Sequence, residues 1–163
     1  MIQLNSPQSK WREIFERQQL ANVERYLNLL IEEDNPNDII IEEYDNLLRA
    51  LEVTLLKKER FDLAYRLIEL LFPIVFGYAD WDRWLIYLNE AIVLSQELNR
   101  EVEEVNLLNH VGDIFVFKGN YQKARELYGQ SGEKCEQLGD KANYASALAK
   151  LAAVYDLQGN MQE

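Results

Sequence analysis

The chain has 163 residues, of which 48% are hydrophobic and 28% are charged, and its net charge at pH 7 is −11. This length and composition suit one domain or one short repeat array with a buried core. Both halves are acidic and no basic face stands out, which argues against nucleic acid or an anionic membrane as the main ligand, because both require clustered Lys and Arg. The acidity indicates a solvated surface, with an acidic face for a basic partner as the alternative.

The first fifteen residues lack the basic and apolar regions of a secretory signal, and no window approaches about 18 uncharged apolar residues. Cys135 is the only cysteine, so an intrachain disulfide cannot form and no cysteine pair suggests a zinc site. We therefore expect a reducing, cytoplasmic setting.

The N-terminal part of the chain predicts two helices. Residues 10–33 carry apolar side chains at helical spacing, and turn chemistry at residues 35–38 is expected to end that helix. A second helix is predicted from about Ile39 to Lys58, with one apolar face formed by Tyr44, Leu47, Leu48, Leu51 and Leu55. We predict that residues 1–60 form a helical pair leading into repeats.

From Asp62 onward, helical segments of about 17 or 18 residues alternate with breaks of two or three, and the pattern has a period of 40. The breaks at 79–81, 119–121 and 159–161 align, which predicts repeats over residues 61–163. The units run over 62–100, over 101–140, and over 141–163 as an incomplete unit. A helix pair cannot bury its apolar face alone, so the same positions must be apolar in each unit. These positions are Ile68, Leu108 and Leu148; Leu71, Val111 and Leu151; and Val75, Phe115 and Tyr155.

Small residues have two predicted roles in the repeat. Gly112 or Ala152 lets the paired helix approach closely. Gly119 and Gly159 are predicted to end the first helix of their units in a left-handed conformation, and Asn120 or Asn160 is expected to cap the helix that follows.

The stretch from 108 to 131 resembles a tetratricopeptide repeat, whose signature positions hold Leu108, Val111, Gly112, Phe115, Gly119, Tyr121, Ala124, Tyr128 and Ser131. Residues 142–160 repeat part of the pattern, and the unit at 62–98 is degenerate, with Trp84 in place of a small residue. The resemblance implies an all-α fold, a right-handed superhelical stack of antiparallel helix pairs with about seven helices and a partial eighth. It also implies a non-catalytic scaffold that binds a protein or peptide partner.

A broader resemblance covers about residues 25–163. The runs at 42–52, 64–67 and 71–73 resemble the helical repeats that follow the nucleotide-binding and winged-helix parts of multidomain signal-transduction ATPases of the NB-ARC/STAND type and related bacterial regulators. The implied alternative function is a regulatory or ligand-sensing segment of such a signalling protein. The chain has no phosphate-binding loop of the G-x-x-x-x-G-K-[ST] kind, so neither nucleotide binding nor any other cofactor is expected.

Catalysis and metal binding are not expected, because the residues that support them do not converge in the sequence. His110 is the only histidine and lies between apolar signature positions, and Cys135 is expected to pack inside its helix pair. The acidic runs at 32–34 and 101–104 fall at helix ends, where a solvated cap explains them. We therefore predict no catalytic, cofactor-binding or metal-binding residue and no enzyme activity.

Three aromatic residues, Trp81, Trp84 and Tyr87, allow two interpretations. They can fill the seam between stacked helix pairs, which is the commoner role, or they can anchor a partner.

The resemblance to tetratricopeptide repeats implies that the binding surface is the concave side, which in this repeat type is formed by polar positions of each first helix. The candidate groove residues are Asn106, Asn109, Asp113, Val116, Ser146 and Lys150. The amides of Asn106 and Asn109 could bond an extended peptide backbone, whereas an exposed polar helix face needs no ligand at all. The pair of basic residues that clamps a terminal carboxylate in some tetratricopeptide domains is absent from these positions.

The partner is expected to be another protein or peptide, with other domains of the same polypeptide as an alternative. Self-association through the C-terminal end is a further possibility, because the last unit is incomplete. Light scattering that finds only monomer at high concentration would exclude self-association.

Overall fold

A computed structural model describes residues 10, 14, 17–18, 21–25, 27–28 and 36–160, and the regular elements within them are helical. From residue 36 to 160 the helices are α1 (Pro36–Leu55), α2 (Phe61–Tyr78), α3 (Trp81–Glu97), α4 (Glu101–Phe117), α5 (Tyr121–Leu138) and α6 (Lys141–Asn160). A short 3-10 turn, Lys58–Arg60, precedes α2. The predicted all-α class is confirmed. Among the described residues, no helix has the length and apolar character that crossing a membrane requires.

The chain divides into two compact units, Met1–Ile74 and Val75–Glu163, which are described separately. Helix α2 begins in the first unit, and its last turn belongs to the second. The predicted division at 60/61 refers to repeats and not to compact units, and it stays a prediction.

In the first unit, the described residues between 10 and 28 are helical, and the remainder of the helix predicted over 10–33 lies outside the described residues. The predicted start of the next helix at Ile39 is wrong, because α1 begins at Pro36. Proline suits the first position of a helix, where its fixed φ is helical and its missing N–H costs no bond. The predicted apolar face is confirmed, since its five members are all buried: Tyr44, Leu47, Leu48, Leu51 and Leu55.

Helix α1 ends at Leu55, three residues before the predicted Lys58. The side chain of Arg60 explains part of this stop, because its Nη1 donates to the carbonyl of Val53 at 3.3 Å and so satisfies an acceptor in the last turn.

In the second compact unit, breaks between helices lie at 79–80, 98–100, 118–120 and 139–140, which confirms the predicted breaks at 79–81 and 119–121. Each contains one left-handed residue: Ala79 (φ 53°), Asn99 (φ 54°), Gly119 (φ 73°) and Gly139 (φ 70°). At three of these breaks the next N–H reaches back to a carbonyl of the last helical turn, as from Asn120 to Phe115 at 2.8 Å. The predicted cap is confirmed, because Asn120 Oδ1 accepts from the N–H of Lys123 at 3.1 Å.

The prediction for Gly159 is wrong. Its φ is not in the left-handed region, and α6 continues through Asn160. The cap predicted at Asn160 is wrong for the same reason, because that residue belongs to α6. A glycine permits a left-handed turn but does not impose one, so a helix can continue through it at a cost of about 1 kcal/mol.

Helices α3, α4, α5 and α6 pack consecutively within the second unit. The positions predicted to be buried in α4 are buried at Leu108 and Val111, and Trp84 and Tyr87 belong to the core of α3. In α6, by contrast, Leu148 is 46% exposed and Tyr155 is 55% exposed. Within the described part of the chain, no helix follows α6 to cover this face.

Candidate functional site

Helix α4 presents the predicted residues Asn106, Asn109, Asp113 and Val116 on one side, because their spacing of three and four residues matches the helical turn. They differ in depth. Asp113 and Val116 are partly exposed, whereas Asn109 is only 6% exposed. The Oδ1 atom of Asn109 has no hydrogen-bond partner among the described residues.

A polar network connects three helices at Asp113. The hydroxyl of Tyr128 on α5 donates to Asp113 Oδ1 at 2.6 Å, and Lys150 Nζ on α6 donates to both carboxylate oxygens at 2.6 and 2.8 Å. The ammonium group also lies 5.7 Å from the centroid of the Tyr128 ring. Burial and the adjacent carboxylate of Asp113 raise the pKa of Tyr128 far above its usual value of 10.0, so this phenol remains a proton donor at neutral pH.

Gly112 makes this arrangement possible. A Cβ placed there would lie 2.9 Å from Cδ1 of Tyr128, which is too close for any side chain. The predicted role of Gly112 in close helix approach is therefore confirmed. Ala152, the matching residue of the next unit, is exposed.

Beside the network is an open groove of about 290 Å³. Its lining combines the three polar residues with an apolar wall, and consists of Phe76, Asp113, Val116, Phe117, Tyr128, Lys150, Ala153, Val154 and Leu157. Three of the six predicted groove residues, Asp113, Val116 and Lys150, thus come together. Asn106, Asn109 and Ser146 do not line this groove.

An aromatic cluster supports the apolar wall. Phe117 is 63% exposed, yet its ring centroid lies 4.3 Å from that of Phe76 and 5.5 Å from that of Trp81. Trp81 therefore belongs to this partly exposed cluster and not to the buried core of Trp84.

Sequence reasoning did not select Phe76, Phe117 or Leu157 as groove residues. A signal was available for two of them, since Phe117 and Leu157 are one 40-residue period apart and both are large and apolar. Leu157 is 43% exposed, and it lines the same groove as Phe117.

A second, polar cavity of about 320 Å³ contains the buried carboxylate of Glu104. Gln96 Nε2 donates to Glu104 Oε1 at 2.7 Å, and Lys134 Nζ lies 3.0 Å from Oε2. These bonds join α3, α4 and α5, so Glu104 has a structural role there. Within the described ranges, no three His, Cys, Asp or Glu side chains form a group that could hold a metal ion.

Cys135 is fully buried in α5, which confirms its predicted packing role. Burial raises the pKa of its thiol, and the nearby carboxylate of Asp140 adds to this effect. A thiol in this environment stays protonated and is a poor nucleophile.

Consecutive helices of similar length, with short breaks and a 40-residue register, define the second unit as part of a helical repeat protein. Residues 103–163 match the model of the tetratricopeptide repeat family, which supports the predicted repeat family for this segment. The match includes Asp113, Tyr128 and Lys150. No curated protein matches the chain. The resemblance to the repeats of signal-transduction ATPases stays a prediction.

Proposed function

We propose that the chain is a cytoplasmic, non-catalytic interaction scaffold and that the groove of the second unit holds a segment of a protein partner. The repeat family supports protein binding in general. The observation that carries the assignment to this groove is the pair Phe117 and Leu157, two exposed large apolar side chains that line one cavity. Exposed apolar groups gathered in a groove mark interaction sites, whereas scattered ones need no explanation.

The chemistry of the groove supports binding and not catalysis. Its ionisable groups, Asp113, Tyr128 and Lys150, are hydrogen-bonded to one another. The raised pKa of Tyr128 opposes its use as a base or nucleophile near pH 7. A catalytic group would need to hydrogen-bond or exchange a proton with a substrate, whereas these three side chains form hydrogen bonds with one another.

Affinity capture tests the groove. The full chain and a Leu157→Asp variant would be used as baits in extract from the native source, and captured proteins would be remade and titrated against each bait. We expect the partner to bind Leu157→Asp at least about tenfold more weakly, because a charge in an apolar contact must be desolvated.

Val93→Asp is the matched control, since Val93 is an exposed apolar residue of α3 that does not line the groove. Equal affinity of the partner for Leu157→Asp and for the wild type would remove the groove from the proposal.

The second candidate is a regulatory segment of a multidomain signalling ATPase or transcriptional regulator, in which the partner is the rest of the same polypeptide. The exposed face of α6, with Leu148 and Tyr155, favours it because it offers a docking place for a further helix. Self-association through the C-terminal end stays a prediction. Tagging the gene at its native locus and measuring the product by immunoblot tests this candidate, since a product of about 19.2 kDa plus the tag would exclude it.

A further inference from the structure

We infer that the groove selects its partner by an aromatic or large aliphatic side chain with basic neighbours, and that it discriminates against a terminal carboxylate. This inference rests on the proposed function and specifies the chemistry of the partner. It follows from the state of the cations, the exposure of the carboxylates, and the size and order of the apolar wall.

The cation in the groove is already neutralised. Lys150 Nζ makes bonds of 2.6 and 2.8 Å to the two oxygens of Asp113, so a carboxylate from a peptide would have to compete with a fixed internal one. It would also be brought next to the charge of Asp113. Like charges at such separations repel strongly where water is partly excluded.

Lys118, the cation next to the apolar wall in sequence, also forms an ion pair within the protein. Lys118, directly after Phe117, lies with its Nζ 2.6 Å from Asp82 Oδ1. The Asp82 side chain remains 88% exposed, and Asp156, directly before Leu157, is also exposed. Neither carboxylate lines the groove, so each acts on a peptide cation beside the groove only by longer-range attraction, which the net charge of −11 strengthens.

The groove is small. Its volume of about 290 Å³ is at the lower limit of small-molecule pockets, which run from about 300 to 1,000 Å³. Most of its lining is apolar, with Val116, Phe117 and Leu157 forming an open wall. An aromatic or leucine-like anchor would bury that wall without leaving a polar group unpaired.

The wall is also ordered before binding. Phe117 is stacked against Trp81 with an interplanar angle of 16°, and Phe76 packs on the same ring. A side chain that is exposed yet held in place loses little conformational freedom when a partner covers it. Such preorganisation favours an anchoring contact at this position.

Peptide display tests the inference directly. A library of random 12-residue peptides, displayed both internally and with free C-termini, would be selected on the immobilised full chain. We expect enriched peptides to share one aromatic or large aliphatic residue with Lys or Arg within a few positions, whether or not the C-terminus is free. Their affinities would then be measured by fluorescence anisotropy with synthetic, C-terminally amidated copies.

Two pairs of variants test the apolar anchor and the basic neighbours separately. Leu157→Ser should weaken the enriched peptides about tenfold, whereas Ile86→Ser, an exposed apolar residue of α3, should not change their binding. Asp82→Lys should weaken them severalfold at low salt, whereas Glu90→Lys, at another exposed position of α3, should have a smaller effect.

The outcomes separate the inference from the proposed function. Enriched peptides that need a free C-terminus or acidic residues, and that lose affinity for Leu157→Ser, would overturn the inference and leave the groove as a binding site. Peptides that bind the wild type and Leu157→Ser equally, or the absence of any enrichment, would overturn the groove itself. Enrichment of apolar anchors without basic neighbours would refute the role of the exposed carboxylates.

Discussion

Replacing Gly112 by alanine changes stability in a direction that follows from one contact. The added Cβ would lie 2.9 Å from Cδ1 and 3.0 Å from Cζ of Tyr128, and the ring is buried and bonded to Asp113, so it cannot move away freely. Overpacking of this kind costs about 1–3 kcal/mol. Alanine gains about 1 kcal/mol over glycine inside a helix. We therefore expect Gly112→Ala to lower the free energy of unfolding by up to about 2 kcal/mol.

Gly129→Ala is the matched control, because Gly129 is also inside a helix and has no atom within 4 Å of an added Cβ. It should raise the free energy of unfolding by about 1 kcal/mol. Both variants gain the same helix propensity from alanine. The difference between their free energies of unfolding, about 1–3 kcal/mol, therefore measures the steric clash with Tyr128 alone. Urea unfolding followed by circular dichroism and tryptophan fluorescence measures it. If both variants are stabilised equally, the close approach of α4 and α5 at Gly112 is refuted.

Three further predictions concern the breaks, the Asp113 network, and Asp140, whose Oδ1 accepts from the N–H of Asn143 at the start of α6. Ala79→Gly should stabilise the chain and Gly119→Ala destabilise it, each by about 1 kcal/mol, because both positions are left-handed; thermal unfolding that moves in the opposite direction would contradict this. A double-mutant cycle on Asp113 and Lys150 should give a coupling of about 1 kcal/mol that decreases in 1 M salt, since the pair is partly exposed; a coupling unaffected by salt would contradict the electrostatic assignment. The Asn143 N–H bonded to Asp140 lowers the pKa of that carboxyl below 3.8, so its stabilising effect is complete above the unfolded-state pKa and is lost as pH falls through the folded-state pKa. Carbon-detected NMR titration checks this, and a midpoint at or above 3.8 would count against it.

The repeat architecture could be predicted because it depends on periodicity, which a sequence displays directly. The apolar positions Ile68 and Leu71 recur 40 residues later as Leu108 and Val111, and all four are buried as expected. Breaks between helices were found for the same reason. Their exact chemistry was less visible, since left-handed residues recur every 20 residues with two of the four positions held by Ala79 and Asn99. A search for glycine misses these two and wrongly includes Gly159.

The groove could be predicted only in part, because a helix face shows direction and not depth. Spacing alone assigns Asn109 and Asp113 to the same side of α4, but burial depends on neighbouring helices that the spacing does not describe. The bond between Lys150 and Asp113 joins residues 37 positions apart, and nothing local indicates it. That bond changes the interpretation of Lys150 from a ligand-binding cation to an internally neutralised one.

The repeat units at 101–140 and 141–163 carry the same apolar pattern, but neighbouring helices bury the apolar side chains to different extents. In α4, Leu108 is buried and Gly112 receives the ring of Tyr128 from α5. In α6, Leu148 and Tyr155 occupy equivalent register positions but remain exposed. Apolar side chains at register positions are selected for burial, because a helix pair is stable only when another element covers its face. Among the described residues, the face of α6 therefore has no side chain in the role that Tyr128 has beside Gly112, and the matching Ala152 is exposed.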